Sequence, residues 1–253
     1  MQNERTEPEA MGNPWDGADT LEVHQLRRTA GAAEDLDAGI ALLREVAAGR
    51  RGPTLRLYRP EPTVAFGQRD ARLPGFPEAT GKVRAAGFEP VVRRAGGRAA
   101  AYHRGCLVVD HIEPASDPVA ATRARFEFFG GLFARALRDA GVSAAVGEIP
   151  GEYCPGEFSV HGPAGGRGQL KLVGTAQRVV AGAWLFSSVL IIEDAAPLRA
   201  VLTDAYSALD LKWDPATAGA AEDLRPGLRV RDLEETVLGA YDRHVRLVPA
   251  PQP

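Results

Sequence analysis

The chain has 253 residues, 45% hydrophobic and 25% charged, which is enough for one large domain or two small ones with a buried core, and ordinary for a globular protein. Those shares exclude collagen-like, coiled-coil and wholly disordered readings, and thirty basic residues against thirty-three acidic give a net charge of −3, a balance that points to neither nucleic acid nor a membrane surface. No apolar run reaches the roughly 18–20 residues that span a bilayer, the first residues lack a signal-peptide core, and two cysteines without metal-ligand spacing imply no disulfide scaffold and no metal site, so a cytoplasmic enzyme or binding protein is expected.

Residues 1–19 carry Pro, Gly, Asn and charge without periodicity and read as a flexible tail. The first helix is expected over residues 34–48, with Leu36, Ile40, Leu43 and Ala47 on one face, and Gly49 ends it. Two short strands follow at residues 55–58 and 63–66, separated by Arg59-Pro60-Glu61-Pro62. A poor helix is expected over residues 78–86, and a strand starts at Val91. Residues 107–112 read as a strand. Asp117-Pro118 reads as an N-cap and first helical position, opening a helix with Phe126, Phe129, Phe133 and Leu137 on one side. The longest apolar strand is residues 183–192. A last helix is expected from Asp232, with Asp232 and Glu235 as a capping box and Leu233, Val237 and Tyr241 inward. Helices and strands mix without regular βα alternation, so the fold class is α+β with a mixed, largely antiparallel sheet.

Two stretches can carry chemistry. In Arg93-Arg94-Ala95-Gly96-Gly97-Arg98-Ala99-Ala100-Ala101-Tyr102-His103, small residues allow a ligand close to the backbone, glycine frees N–H groups for an anion, and guanidinium groups pair with phosphate or carboxylate. A Gly-Gly turn with solvated arginines fits the same spacing. In Lys171-Leu172-Val173-Gly174-Thr175-Ala176-Gln177-Arg178, a lysine at the start of a strand can neutralise charge developing on an acyl or phosphoryl oxygen. An edge-strand lysine that discourages aggregation is the other reading. Only Lys82, Lys171 and Lys212 are lysines, 27 of the 30 basic residues being arginine, and a lysine kept in such a chain is more often there for a reason.

Together these stretches resemble the lipoate–protein ligase and octanoyltransferase family, relatives of the biotin–protein ligases. That family carries an Arg-Arg-x-Ser/Thr-Gly-Gly-Gly/Arg-Ala-Val-x-His segment and, further on, a Lys-x-x-Gly-x-Ala-Gln/Tyr-Arg segment. Thr63-Val64-Ala65-Phe66-Gly67-Gln68 resembles the family's strand ending in Gly and Gln, and the first helix before Pro53-Thr54-Leu55-Arg56-Leu57-Tyr58 stands where the family places it. The resemblance covers roughly residues 35–193, with Lys171 to Arg178 its most specific part. Ala95 departs from the usual Ser or Thr, and Arg104 stands where an acidic residue often follows the histidine, which favours a structural role for His103.

The resemblance implies a class II aminoacyl-tRNA synthetase/biotin–lipoate ligase-like fold, with a catalytic domain at residues 20–195 and a C-terminal helical extension of it at 196–253. It implies attachment of lipoate or octanoate to the lysine of a lipoyl carrier domain, either a 2-oxoacid dehydrogenase E2 domain or a glycine cleavage H protein. ATP with Mg²⁺ would give an acyl-adenylate, and Lys171 would be the catalytic residue bonding acyl and phosphate oxygens. Arg93, Arg94, Gly96, Gly97, Arg98, Tyr102, His103, Gly174, Thr175, Ala176 and Gln177 would line the adenylate or acyl head, and Val64, Phe66 and Tyr102 the acyl tunnel. The transferases of this family instead use a cysteine thioester, drawing on an acyl donor such as an acyl carrier protein. Matching Pro155-Gly156-Glu157-Phe158 to their turn puts Gly151 at the cysteine position, with Cys154 three residues away as the candidate nucleophile or as an inert thiol. Cys106 reads as core. A non-catalytic member binding the adenylate or the carrier is the remaining alternative.

Overall fold

The computed structural model describes residues 18–250; apart from its last two residues, the stretch read as a tail lies outside them. In chain order the elements are β1 (Thr20–Leu26), α1 (Ala32–Ala47), β2 (Thr54–Tyr58), β3 (Thr63–Phe66), α2 (Phe76–Ala85), β4 (Glu89–Val92), β5 (Ala100–Tyr102), β6 (Cys106–Pro114), α3 (Thr122–Asp139), β7 (Ala145–Val146), β8 (Val160–Pro163), β9 (Gln169–Val180), β10 (Ala183–Ile191), α4 (Ala195–Ala208), α5 (Val230–Asp242) and β11 (Arg246–Pro249). The larger sheet has the order β11-β1-β2-β6-β10-β9-β8-β7, and the smaller has the order β4-β3-β5. The β1 pairings with β11 and β2 are parallel and the rest of the large sheet is antiparallel. The α+β class with a mixed, mostly antiparallel sheet is therefore what the chain forms. No helix among the described residues is long and apolar enough to cross a membrane.

The period-2 alternation of a strand decides what each face of the large sheet meets. On β10, Trp184, Phe186 and Leu190 join the core that includes Phe129 and Phe133 of α3 and Val237 and Tyr241 of α5. Leu185, Ser187 and Val189, at the intervening positions, line a cavity on the opposite face. The small sheet has its own core, in which Val64 and Phe66 pack with Val83 of α2 and Leu198, Leu202 and Tyr206 of α4. The expected tunnel residues Val64 and Phe66 are fully buried in that core.

Several local expectations shift. Helix α1 buries Asp35, Gly39, Leu43 and Val46, whereas Leu36 and Ile40 line the cavity. The cause is electrostatic. The Asp35 carboxylate receives Arg56 Nη2 at 3.0 Å, and Arg56 Nη1 reaches Asp110 Oδ2, also at 3.0 Å. A Cβ on Gly39 would lie 3.1 Å from that same Asp110 oxygen, so a side chain there would push the carboxylate or the helix back by a few tenths of an ångström. Asp117 Oδ1 accepts N–H groups from Val119 and Ala120, capping a turn, and α3 itself starts at Thr122. Asp232 is the third residue of α5: its Oδ2 accepts the Arg229 N–H, so the helix begins at Val230 and not at Asp232. Strands β1 and β11 and helix α4 lacked a sequence signal strong enough to be expected.

Phe129 sits at the centre of an aromatic cluster, with ring centroids 4.5 Å from Phe186, 5.1 Å from His111 and 6.0 Å from Trp184. Phe129→Ala is expected to destabilise the fold by about 3–5 kcal/mol, read as a lowered urea midpoint with an unchanged slope.

Candidate active site

The cavity, of about 560 Å³, opens between α1, the loop after β4, the segment before β8, and strands β6, β9 and β10. It gathers most of the residues singled out in the sequence: Arg93, Arg94, Gly96, Gly97, Tyr102, Cys154, Lys171, Gly174, Thr175, Ala176 and Gln177 all line it. Strand β9 runs between β8 and β10, so Lys171 is not an edge lysine.

Lys171 is almost completely withdrawn from water, its side chain 2% exposed, and it faces the fully buried carboxylate of Glu152 at 2.7 Å. Its ammonium also donates to the backbone carbonyls of Tyr153, at 3.0 Å, and Cys154, at 2.9 Å. It lies 4.7 Å from the centroid of the Tyr153 ring. An ammonium has three N–H donors, and here all three have acceptors.

Glu152 is in turn the hub of the loop. Its carboxylate accepts the Ser159 hydroxyl, at 2.7 and 3.0 Å to its two oxygens, and the Gly156 N–H at 3.2 Å. Between Glu152 and Gly156 lies Cys154, in the left-handed region at φ 43°. For a residue with a Cβ that region costs about 1–2 kcal/mol. The Cys154 N–H donates to the Tyr206 hydroxyl at 2.8 Å, and that hydroxyl donates to Ala99 O at 3.0 Å.

The half-buried sulfur of Cys154 accepts the backbone N–H of Arg98 at 3.2 Å and faces Arg93 Nη2 at 3.6 Å. The same Arg93 nitrogen donates to Arg98 O at 2.9 Å, which folds the glycine segment over the sulfur. Gly97 is what allows the approach. Its φ is +101°, and a Cβ there would lie 2.7 Å from the Cys154 sulfur and 2.5 Å from the Arg93 guanidinium. A cation and an amide donor on one sulfur form the electropositive setting in which cysteines act as nucleophiles.

The other expected residues divide by contact. The Arg98 guanidinium pairs with buried Asp70 at 3.0 Å, so this residue serves the site through its backbone. His103 Nδ1 accepts the Gly105 N–H, while Nε2 bonds Asp194 O at 2.9 Å. That places His103 in a turn outside the cavity lining. Gln177 receives Arg125 Nε and donates to Thr122 O, tying β9 to α3. Cys106 is fully buried, and burial pushes its thiol up to about 12. Among the described residues, no group of three His, Cys, Asp or Glu side chains is placed to hold a metal ion.

Glu152, Ser159 and Tyr206 carried no signal in the sequence. Glu152 and Ser159 lie in a Gly- and Pro-rich stretch without periodicity, and they meet only when the loop closes on Lys171. Asp110 interrupts an apolar strand, which is a visible anomaly. Burial holds its carboxyl above the ordinary range, opposed by Arg56 and a Ser187 hydrogen bond.

The cavity thus brings a buried lysine and a half-buried cysteine together under the glycine segment, and comparison with known proteins gives the family. Residues 32–213 match the model of the lipoyl protein ligase A/B catalytic domain, and the chain belongs to that family. It is 33% identical over 162 residues to an octanoyl-[GcvH]:protein N-octanoyltransferase of Geobacillus kaustophilus, covering 64% of this chain and 56% of that protein. A lipoyl-[GcvH]:protein N-lipoyltransferase of Listeria monocytogenes is 28% identical over 47% of this chain and 43% of its own length. The chain thus spans about half the length of these curated relatives. In fold it is similar to a lipoate-protein ligase A solved with ATP, with TM-score 0.73 and 17% identity, covering 94% of this chain and 90% of that one. It is also similar to Ta0514 of T. acidophilum solved with lipoic acid, with TM-score 0.69 and 16% identity over the same shares.

Native protein at pH 8 is expected to titrate one thiol with a small disulfide reagent and a second only after denaturation. Cys154→Ser should leave no thiol that reacts before unfolding, because Cys106 is both sealed and protonated.

Proposed function

We propose that this protein is an acyltransferase that moves an octanoyl or lipoyl group between carrier-protein lysines through a thioester on Cys154. The observation that carries this reading is the placement of the Cys154 sulfur in the cavity, under the Arg98 N–H and the Arg93 guanidinium. The two GcvH-named transferases support it, since their names describe transfer of an acyl group from GcvH to nitrogen on a second protein. The donor is accordingly an acylated H-type carrier. The acceptor is a lipoyl domain such as the E2 domain studied with the Thermoplasma ligase.

The chemistry balances without an added energy source. The sulfur of Cys154 attacks the carbonyl carbon of the donor's N-acyl lysine; a C–S bond forms, the C–N bond breaks, and the thiol proton ends on the departing amine. The acceptor amine then attacks the thioester carbon; a C–N bond forms, the C–S bond breaks, and the amine's proton returns to Cys154. One amide is exchanged for another, so the equilibrium needs no ATP. A thiol used this way divides one difficult displacement into two easier ones. The Lys171 cation, beside the Cys154 carbonyl, supplies fixed positive charge where negative charge develops. Gly174 and Ala176 keep the adjoining wall of β9 low enough for an acyl chain.

The second reading is the ATP- and Mg²⁺-dependent ligase working through an acyl-adenylate. It is favoured by the glycine segment, where Arg94 and Gly96 are exposed at the cavity and a Cβ at Gly96 would meet open space.

Intact-mass spectrometry of a lipoyl domain incubated with this protein separates the readings. An octanoyl-sized gain from an octanoylated H-type carrier without ATP is expected, as is the same gain on the protein itself when the acceptor is omitted. Cys154→Ala and Lys171→Ala should each abolish the gain. A gain only from octanoate with ATP and Mg²⁺, retained in Cys154→Ala, would establish the ligase instead. A gain only from octanoyl acyl carrier protein would keep the thioester but change the donor. No gain from any donor would leave a binding protein.

A further inference from the structure

The expected partner of Lys171 is a substrate oxygen, yet its three N–H groups already meet the Glu152 carboxylate and the carbonyls of Tyr153 and Cys154. Two of these acceptors belong to the backbone that carries the nucleophile. The lysine therefore grips the segment 152–154 from below, while Tyr206 and the glycine segment hold Cys154 from the other side. Glu152 closes the circuit: the same carboxylate that holds Lys171 binds Ser159 and the Gly156 N–H, drawing both sides of the loop together. A left-handed cysteine persists only where its surroundings over-determine it, and this carboxylate is the group on which those constraints converge.

We propose that Glu152 is a positioning residue for the reaction, acting through Lys171 to hold the turn that presents the Cys154 sulfur beneath Arg98 N–H. Within this arrangement Lys171 works mainly as a clamp and as a fixed charge, and a substrate oxygen reaches its ammonium only by displacing a backbone carbonyl. The inference rests on the thioester reading for its catalytic consequence, but not for its structural one.

The test uses the full chain and three readouts: alkylation of Cys154 by iodoacetamide, acyl-enzyme formation from an octanoylated H-type carrier, and the acceptor KM. Glu152→Gln, nearly isosteric but neutral, is expected to slow alkylation and acyl-enzyme formation by about 10²-fold, as misplacement of a reacting group does, with the acceptor KM unchanged. Lys171→Met should slow alkylation as Glu152→Gln does and acyl-enzyme formation further, because the fixed charge is lost with the clamp. The double variant should be no slower than the slower single one, because the two residues act as one unit. Glu152→Asp, which keeps the charge, should recover part of the rate. Ser159→Ala, which removes only the hydroxyl that binds the carboxylate, should slow alkylation measurably and carries the test if Glu152→Gln fails to fold. Wild-type rates in Glu152→Gln or, should it not fold, in Ser159→Ala would overturn the proposal, as would effects of Glu152→Gln and Lys171→Met that multiply. Alkylation needs no acyl donor. Failure of the transferase reading would therefore appear as an absent acyl-enzyme in the wild type while alkylation still decides the role of Glu152.

Discussion

A lysine ammonium taken out of water has to be answered donor by donor, and the geometry around Lys171 follows from that requirement. An unpaired charge at such depth would be too costly to keep, and removing one member of a buried pair typically costs about 3–5 kcal/mol. The chain meets the demand with one carboxylate and two carbonyls drawn from three consecutive residues, Glu152, Tyr153 and Cys154. Satisfying the cation thus fixes the path of the backbone, and fixing the backbone places the sulfur. A single electrostatic debt determines the local fold and the position of the group with the most chemistry in the cavity.

Another wall of the cavity is built on the same principle, a buried cation answered by carboxylates. Asp35 and Asp110 flank Arg56, all three nearly sealed from solvent, and the Arg56 guanidinium stacks 4.0 Å from the centroid of the Tyr58 ring. This cluster binds α1 to the large sheet and so sets the width of the space between them. Leu36 and Ile40 consequently face the cavity, where they add apolar surface suited to an acyl chain. Polar groups buried in this way are stabilised by the partners they find; here both terminal nitrogens of Arg56 are paired, while its buried Nε has no hydrogen-bond partner. They hold the walls at one separation, which an apolar core of the same volume would specify less sharply.

The sequence made legible what depends on local pattern and on short spacing. The antiparallel sheet, α3 with its phenylalanine face, and the convergence of the Arg93 and Lys171 stretches were all readable, because strand alternation, helix period and glycine runs are local signals. The buried face of α1 was legible only in part: Leu43 is buried as its period predicts, while Leu36 and Ile40 are half-buried at the cavity. Its apolar period pointed to Leu36 and Ile40, but an ion pair with Arg56, a residue on another element, rotated Asp35 and Gly39 inward. Glu152 and Ser159 were illegible for a similar reason. They are polar residues in a segment that reads as loop, and their meaning arises from a lysine on a distant strand. Cys154 could be singled out only as a cysteine near the expected place, since its left-handed backbone and its two donors exist only once the glycine segment has folded over it.

Two chemistries that differ in their source of energy would make different demands on a cavity of this kind. Adenylation needs a site for a polyphosphate and a cation to answer it, whereas amide exchange needs a sulfur, donors around it and two successive amines. Both need the same fixed positive charge next to an acyl carbonyl and the same apolar wall for the chain. In this protein the donors of the glycine segment are turned inward to the sulfur: the Arg98 N–H and the Arg93 guanidinium already serve Cys154, and the Arg98 guanidinium serves Asp70. Arg94 is left as the guanidinium of this segment that takes part in none of the side-chain hydrogen bonds or ion pairs found among the described residues. An adenylate would find Arg94 open to it but would compete with the cysteine for Arg93 and the Arg98 N–H, while a thioester intermediate uses those donors as they stand, and that asymmetry is the physical ground for placing the thioester route first.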